Sequence, residues 1–119
     1  MKSLIILGST GSIGQQTIEV VERYPDLFRV VGLSTRGNTV LLKEQAKKIK
    51  PLSVAVADIN AALKLSVEIG AIGAQLLGGP EGIINLCRLA EADTVVNALV
   101  GSVGLKPTLA TLEEGKNLL

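Results

Sequence analysis

The sequence predicts an α/β fold, a doubly wound parallel sheet with helices on both faces, for one domain spanning residues 1–119. Short apolar runs alternate along the chain with segments whose apolar residues recur at helical spacing. Hydrophobic residues make up 47% of the sequence and aromatic residues only 2%, so these runs are aliphatic. Aliphatic runs are typical of strands buried on both faces, and their alternation with helices favours parallel strands joined by right-handed crossovers.

Five βα units and the opening of a sixth strand are expected in chain order. The predicted strands are Leu4–Leu7, Phe28–Leu33, Leu52–Ala57, Gln75–Leu77, Thr94–Leu99 and a last one beginning in Lys116–Leu119. The predicted helices are Ile13–Arg23, Thr39–Ile49, Asn60–Ile69, Pro80–Ala90 and Leu105–Glu114. Asp58 is suited to cap the third helix, and Pro80 to stand in the first turn of the fourth. Cys87 lies among apolar positions of its helix, which predicts a buried packing thiol.

Composition excludes several classes of function. The 12 Lys and Arg residues against 11 Asp and Glu give a formal charge of +1, and no basic patch is interleaved with aromatic residues, so nucleic-acid binding is disfavoured. With no histidine and one cysteine, neither a zinc site nor a Ser-His-Asp or Cys-His catalytic set can be assembled. No apolar run approaches the roughly 20 residues that span a bilayer, and no signal or transit segment is recognisable. We therefore expect a cytoplasmic protein without a membrane partner.

A glycine pattern directly follows the first predicted strand. Gly8, Gly11 and Gly14 are spaced three apart, and a helix is expected to start near Ser12. Strand, glycine turn and helix N-terminus in this order are typical of a Rossmann-type phosphate site, where free backbone N–H groups and the helix dipole face an anion. The usual pattern is G-x-G-x-x-G, one residue shorter before the second glycine, so an ordinary βα turn is the alternative.

The turn after the second predicted strand bears on which dinucleotide is bound. An Asp or Glu roughly 20 residues past the glycines marks NAD, because it accepts a hydrogen bond from the ribose 2′-hydroxyl. No acid stands in the segment Ser34-Thr35-Arg36-Gly37-Asn38. Arg36 can pair with a 2′-phosphate and the polar side chains beside it can donate hydrogen bonds, which favours NADP. Alternatively, Arg36 is simply a solvated turn residue.

A third candidate stretch, Asn97–Gly104, lies at the carboxyl end of the fifth predicted strand, where open α/β sheets bind ligands. Its small residues would let a flat ring approach the backbone, or would only let the next helix pack closely. These small residues are Ala98, Gly101 and Ser102.

Three runs of the sequence together resemble one family. LIILGSTGSIGQQTIEVV, FRVVGL and NALVGSVGLKPTLATLEEGKNLL are similar to the N-terminal NADPH-binding domain of 1-deoxy-D-xylulose 5-phosphate reductoisomerase. The resemblance implies an NADPH-dependent oxidoreductase and isomerase of non-mevalonate isoprenoid biosynthesis. Such an enzyme converts 1-deoxy-D-xylulose 5-phosphate to 2-C-methyl-D-erythritol 4-phosphate with a divalent metal (Mg, Mn or Co), and its full-length form is expected to be a bacterial-type homodimer.

The resemblance also implies residue roles. Thr10, Gly11, Ser12 and Ile13 would contact the cofactor phosphate and its surroundings, and the turn Arg36–Asn38 would hold the adenosine phosphate. The family commonly has Ala-Gly-Lys/Arg-Asn in that turn, so the basic residue and the glycine are exchanged here. The full set of expected cofactor-binding residues is Gly8, Thr10, Gly11, Ser12, Ile13, Ser34, Arg36, Gly37, Asn38 and Ala98.

The catalytic and metal-binding residues of that family are expected beyond Leu119, where an Ala-Asn-Lys-Glu run would begin. We therefore expect an N-terminal fragment that binds cofactor without turnover, and no catalytic or metal-ligating residue in this chain. The alternatives are the NADP-binding domain of another oxidoreductase and a non-catalytic module that senses a dinucleotide. Such an oxidoreductase would be semialdehyde dehydrogenase-like; a short-chain dehydrogenase is disfavoured, because its Tyr-x-x-x-Lys pair is missing at Tyr24.

Overall fold

The computed structural model describes residues 1–99 and 104–119 as alternating strands and helices. The strands are β1 (Lys2–Leu7), β2 (Phe28–Thr35), β3 (Ser53–Val56), β4 (Gln75–Gly78), β5 (Thr94–Asn97) and β6 (Asn117–Leu118). The helices are α1 (Ser12–Arg23), α2 (Thr39–Ile49), α3 (Ile59–Ile72), α4 (Gly79–Cys87) and α5 (Leu105–Glu113). The predicted α/β alternation is confirmed, including the sixth strand.

All neighbouring strands pair in parallel, in the order β4-β3-β2-β1-β5-β6. From β1 the chain builds outward to β4, and it then crosses to the other side of β1 to add β5 and β6. The switch point therefore lies between β1 and β5, where Leu7 is in register with Asn97. In sheets of this topology the ligand crevice lies outside the carboxyl ends of the strands at that point.

Helices cover both faces of the sheet, as predicted. Leu4 and Ile6 of β1 belong to a core cluster that takes its helical members from α1, α2 and α3. Ile5 and Leu7, which point to the opposite face, belong to a second cluster that includes buried residues of α4 and α5. All four β1 residues are nearly inaccessible to solvent, which explains why the strand reads as a continuous apolar run.

Several element ends differ from the predicted bounds, and three of them have a clear local cause. Helix α3 runs through Gly70 to Ile72 and ends at Gly73, whose left-handed conformation caps it. Helix α4 ends at Cys87 rather than Ala90, because the next two amides bond three residues back instead of four. Strand β5 stops at Asn97 rather than Leu99, because the Asn97 side chain accepts from the Leu99 N–H and turns the chain.

Two predicted capping features are confirmed. The Asp58 carboxylate accepts from the Ala61 N–H at 3.2 Å at the start of α3, and Pro80 lies in the first turn of α4. Within the described ranges, no helix combines the length and the apolar character needed to cross a membrane.

Candidate dinucleotide-binding site

The glycine turn, Gly8–Gly11, begins where β1 ends. Gly8 has a φ of +72°, a left-handed conformation that L side chains rarely adopt. A Cβ at this position would also lie 3.2 Å from the Ala98 carbonyl oxygen. The Gly11 N–H donates to the Gly8 carbonyl at 3.1 Å and closes the turn on itself. The sharp reversal therefore depends on the absence of a side chain at Gly8.

Gly14 lets the first turn of α1 pack onto the glycine turn. A Cβ at Gly14 would lie 2.1 Å from the Gly8 carbonyl oxygen and 2.6 Å from Ser9 Cα. Both atoms belong to the backbone, so they cannot rotate away as a side chain could. The third glycine of the pattern is therefore needed for close packing of helix against turn.

Free amides collect at the N-terminus of α1. Among the residues that the structure describes, the N–H groups of Thr10, Ser12 and Ile13 donate to no protein acceptor. The first turn of α1 carries no acidic residue, and Ser12 and Ile13 are exposed to solvent. Unpaired N–H groups at the positive end of a helix dipole favour an anion at this place.

Hydrogen bonds hold the glycine turn against β2 and α2. The Gly8 N–H donates to Ser34 Oγ at 3.0 Å, and the Ser9 N–H donates to the Ser34 carbonyl at 2.8 Å. Gln45 of α2 contacts Ser9 twice, with Oε1 2.8 Å from Ser9 Oγ and Nε2 2.9 Å from the Ser9 carbonyl oxygen. Ser9 and Ser34 are both 0% exposed.

The sequence reasoning missed Ser9 and Gln45. The available signal was that Gln45 is a polar residue on the inner face of a predicted helix, next to Ala46 and one turn after Leu42. A polar side chain in such a position requires buried partners.

The second turn adjoins the first through a pair of hydroxyls. Thr10 Oγ1 and Thr35 Oγ1 form a hydrogen bond of 2.7 Å, and Thr35 Oγ1 also accepts from the Asn38 N–H at 3.3 Å. The Asn38 side chain accepts from the Leu41 N–H and so caps α2. The structure thus brings the two predicted phosphate-binding turns into direct contact.

The predicted residues of the second turn differ in accessibility. Ser34 and Thr35 are 0% and 3% exposed, and their hydroxyls bond the glycine turn rather than facing solvent. The expectation that these two hydroxyls donate directly to a 2′-phosphate does not fit this arrangement, because both are enclosed. Arg36, Gly37 and Asn38 are exposed, and Arg36 makes no salt bridge with any described residue.

At the third predicted stretch, Ala98 lies beside the glycine turn. Its N–H donates to the Leu7 carbonyl at 3.0 Å, next to Gly8. Asn97 joins the end of β5 to the start of α5, since its Nδ2 donates to Thr108 Oγ1 at 2.9 Å and to the Gly104 carbonyl at 3.3 Å. Gly101 and Ser102, also named in the prediction, lie outside the described residues.

The parallel sheet, the switch point beside β1 and the free amides after a left-handed glycine together define a Rossmann-type dinucleotide-binding domain. Residues 4–119 match the sequence model of the family described as 1-deoxy-D-xylulose 5-phosphate reductoisomerase. The chain belongs to this family. This membership does not favour the alternative oxidoreductase and sensing classes.

Curated relatives with that name cover nearly the whole chain. The protein of Halothermothrix orenii is 45% identical over 117 residues, which are 98% of this chain and 30% of the relative. The protein of Rhodococcus jostii is 50% identical over 116 residues, or 97% of this chain and 28% of the relative. The chain therefore spans less than a third of the length of these relatives.

Solved structures confirm the fold. A crystal structure of DOX-P reductoisomerase in complex with NADPH, fosmidomycin and magnesium superimposes with a TM-score of 0.94 at 32% identity, over 99% of this chain and 29% of that chain. The Zymomonas mobilis enzyme in complex with NADPH gives a TM-score of 0.91 at 28% identity, over 98% of this chain and 31% of that chain.

Proposed function

We propose that this chain is the NADPH-binding portion of a 1-deoxy-D-xylulose 5-phosphate reductoisomerase, which converts that substrate to 2-C-methyl-D-erythritol 4-phosphate. The observation that carries the proposal is the contact between two turns that are each suited to bind a phosphate group. One turn offers unpaired amides at a helix N-terminus, and the other offers an exposed arginine with no acid in its segment. The Thr10–Thr35 hydrogen bond joins them.

Each residue set then has a distinct role. The amides of Thr10, Ser12 and Ile13 bind the pyrophosphate, and Gly8 and Gly11 keep the backbone accessible to it. The guanidinium of Arg36 pairs with the 2′-phosphate, with Gly37 and Asn38 completing the turn. Ser34 acts indirectly, by holding the Gly8 amide. Ala98 lies at the switch point, where its small side chain leaves room for a ring.

When bound, NADPH supplies the hydride for the reduction, and the residues of this chain bind and orient the cofactor. No three Asp, Glu, His or Cys side chains come together among the described residues as a metal ion requires. We assign the divalent metal, the binding of 1-deoxy-D-xylulose 5-phosphate and homodimerisation to the full-length enzyme, and its location to the bacterial cytoplasm. The chain alone is expected to bind NADPH without turning over substrate.

Calorimetric titration of the 119-residue chain with NADPH and NADH tests the proposal. We expect Arg36→Gln to weaken NADPH binding by about tenfold, the scale of one hydrogen-bonded charge pair, and to leave NADH binding unchanged. Arg29→Gln is the matched control, because Arg29 is also exposed on β2 but lies at its amino end. Equal affinity of the unaltered chain for NADPH and NADH would contradict the proposal.

A further inference from the structure

Gln45 is a buried amide whose two polar atoms both contact the same residue of the glycine turn. It is 9% exposed and lies on α2 close to Leu42 and Ala46, which are each 0% exposed. Its partner Ser9 is 36 residues earlier in the sequence. A buried side-chain amide is costly unless its nitrogen and its oxygen are both hydrogen-bonded, and here Ser9 provides a partner for each of the two atoms.

The chemistry of Ser9 fixes the orientation of this amide. The Ser9 carbonyl oxygen can only accept, so the Gln45 Nε2 must be the atom that faces it at 2.9 Å. The Gln45 Oε1 then faces the Ser9 hydroxyl at 2.8 Å and accepts from it, and this hydroxyl also lies 3.1 Å from the Ser34 carbonyl oxygen, with which it shares its one proton. The pair therefore constrains both the main chain and the side chain of Ser9 in one geometry.

We propose that Gln45 is a positioning residue, which holds Ser9 so that the amides of Thr10, Ser12 and Ile13 converge on the cofactor pyrophosphate. This inference rests on the proposed function. A turn that contains Gly8 and Gly11 has large conformational freedom before folding, so a rigid arrangement needs anchors from outside the turn. Gln45 supplies an anchor from α2, and pre-organised donors bind an anion without a further ordering cost.

The second turn has anchors of its own, independent of Gln45. The Ala57 N–H donates to the Thr35 carbonyl at 3.0 Å, and the Asp58 N–H donates to the Arg36 carbonyl at 2.9 Å. Loss of the Gln45 hydrogen bonds should therefore loosen the glycine turn, which binds the pyrophosphate, and leave the second turn, which binds the 2′-phosphate, in place. This difference separates positioning from a general loss of structure.

The test compares two probes on the 119-residue chain. NADPH occupies both turns, whereas adenosine 2′-phosphate reaches only the second. We expect Gln45→Met, which keeps the length of the side chain and loses both hydrogen bonds, to weaken NADPH binding by about tenfold and to leave adenosine 2′-phosphate binding unchanged. Gln75→Met is the control, because Gln75 is exposed at the amino end of β4.

Ser9→Ala provides a second, milder variant, since it removes the hydroxyl contacts to Gln45 Oε1 and to the Ser34 carbonyl oxygen and keeps the bond from Nε2 to the Ser9 carbonyl. It should weaken NADPH binding by a smaller factor, again without changing adenosine 2′-phosphate binding, and it carries the test if Gln45→Met does not fold. Unchanged NADPH affinity in the folded variants, or equal weakening of both probes, would overturn the inference. Failure of the unaltered chain to bind NADPH would instead refute the proposed function and the inference with it.

Discussion

The close approach of α1 to the glycine turn makes a quantitative prediction for Gly14→Ala. The added methyl would lie 2.1 Å from the Gly8 carbonyl oxygen, 2.6 Å from Ser9 Cα and 2.8 Å from the Ser9 carbonyl carbon. These are backbone atoms of a turn that further hydrogen bonds hold against β2, so the helix and the turn must move apart. We expect the variant to lose both stability and cofactor affinity.

The magnitude follows from two opposing terms. Overpacking a rigid site costs up to about 3 kcal/mol, and a contact this short with backbone belongs at that end of the range. Replacing glycine by alanine inside a helix stabilises the folded state by about 1 kcal/mol, because alanine has the higher helix propensity. The expected net loss in the free energy of unfolding is therefore about 2 kcal/mol.

Urea unfolding followed by circular dichroism measures this loss. Gly70→Ala is the matched control, because Gly70 lies within α3 and a Cβ there meets no atom within 4 Å. It should raise the free energy of unfolding by about 0.5–1 kcal/mol. If Gly14→Ala were as stable as the unaltered chain while Gly70→Ala behaved as expected, the packing argument would be refuted.

Two further predictions concern titratable groups. The Ser3 N–H and the Thr94 hydroxyl donate to the Asp93 carboxylate, and these hydrogen bonds hold its pKa below the ordinary value. A lowered folded-state pKa stabilises the fold above the unfolded pKa, and this contribution is lost as pH falls through the folded value. The difference in unfolding free energy between the unaltered chain and Asp93→Asn should thus shrink on acidification from neutral pH to about pH 3, and a constant difference would contradict this account. Burial raises the pKa of the Cys87 thiol, which is 0% exposed, so a thiol-specific reagent should modify it far more slowly in the native protein than in urea. Equal rates in the two states would show that Cys87 is accessible.

Hydrophobic periodicity and the capping and turn residues predicted the helices and strands, because the buried strands of this fold consist of aliphatic runs. Leu4–Leu7 and Ser53–Val56 are buried on both sides, so a simple apolar run locates them. The end of β5 was harder to predict, because it depends on one side chain, Asn97, bonding a backbone amide two residues later. A propensity argument over a window of residues does not detect a single bond of this kind.

The candidate site likewise contains features that the sequence predicts and features that only the folded structure reveals. Glycine spacing predicted the first turn, since Gly8 and Gly14 are required by backbone geometry and close packing. The partners of Ser34 depend on tertiary structure, because only the pairing of β1 with β2 brings its hydroxyl to the Gly8 amide. Its polarity suggested a ligand contact, whereas the fold uses it as an internal hydrogen-bond acceptor.

The exchanged order of Arg36 and Gly37 is compatible with the same binding role, because the turn is fixed at both ends. Thr35 is held on one side by Thr10 and the Ala57 amide, and Asn38 on the other by its capping bond to the Leu41 N–H. Arg36 and Gly37 between them are exposed, and a Cβ at Gly37 would meet no atom within 4 Å. We therefore expect a flexible arginine side chain at either position of this short arc to reach the 2′-phosphate of the proposed cofactor.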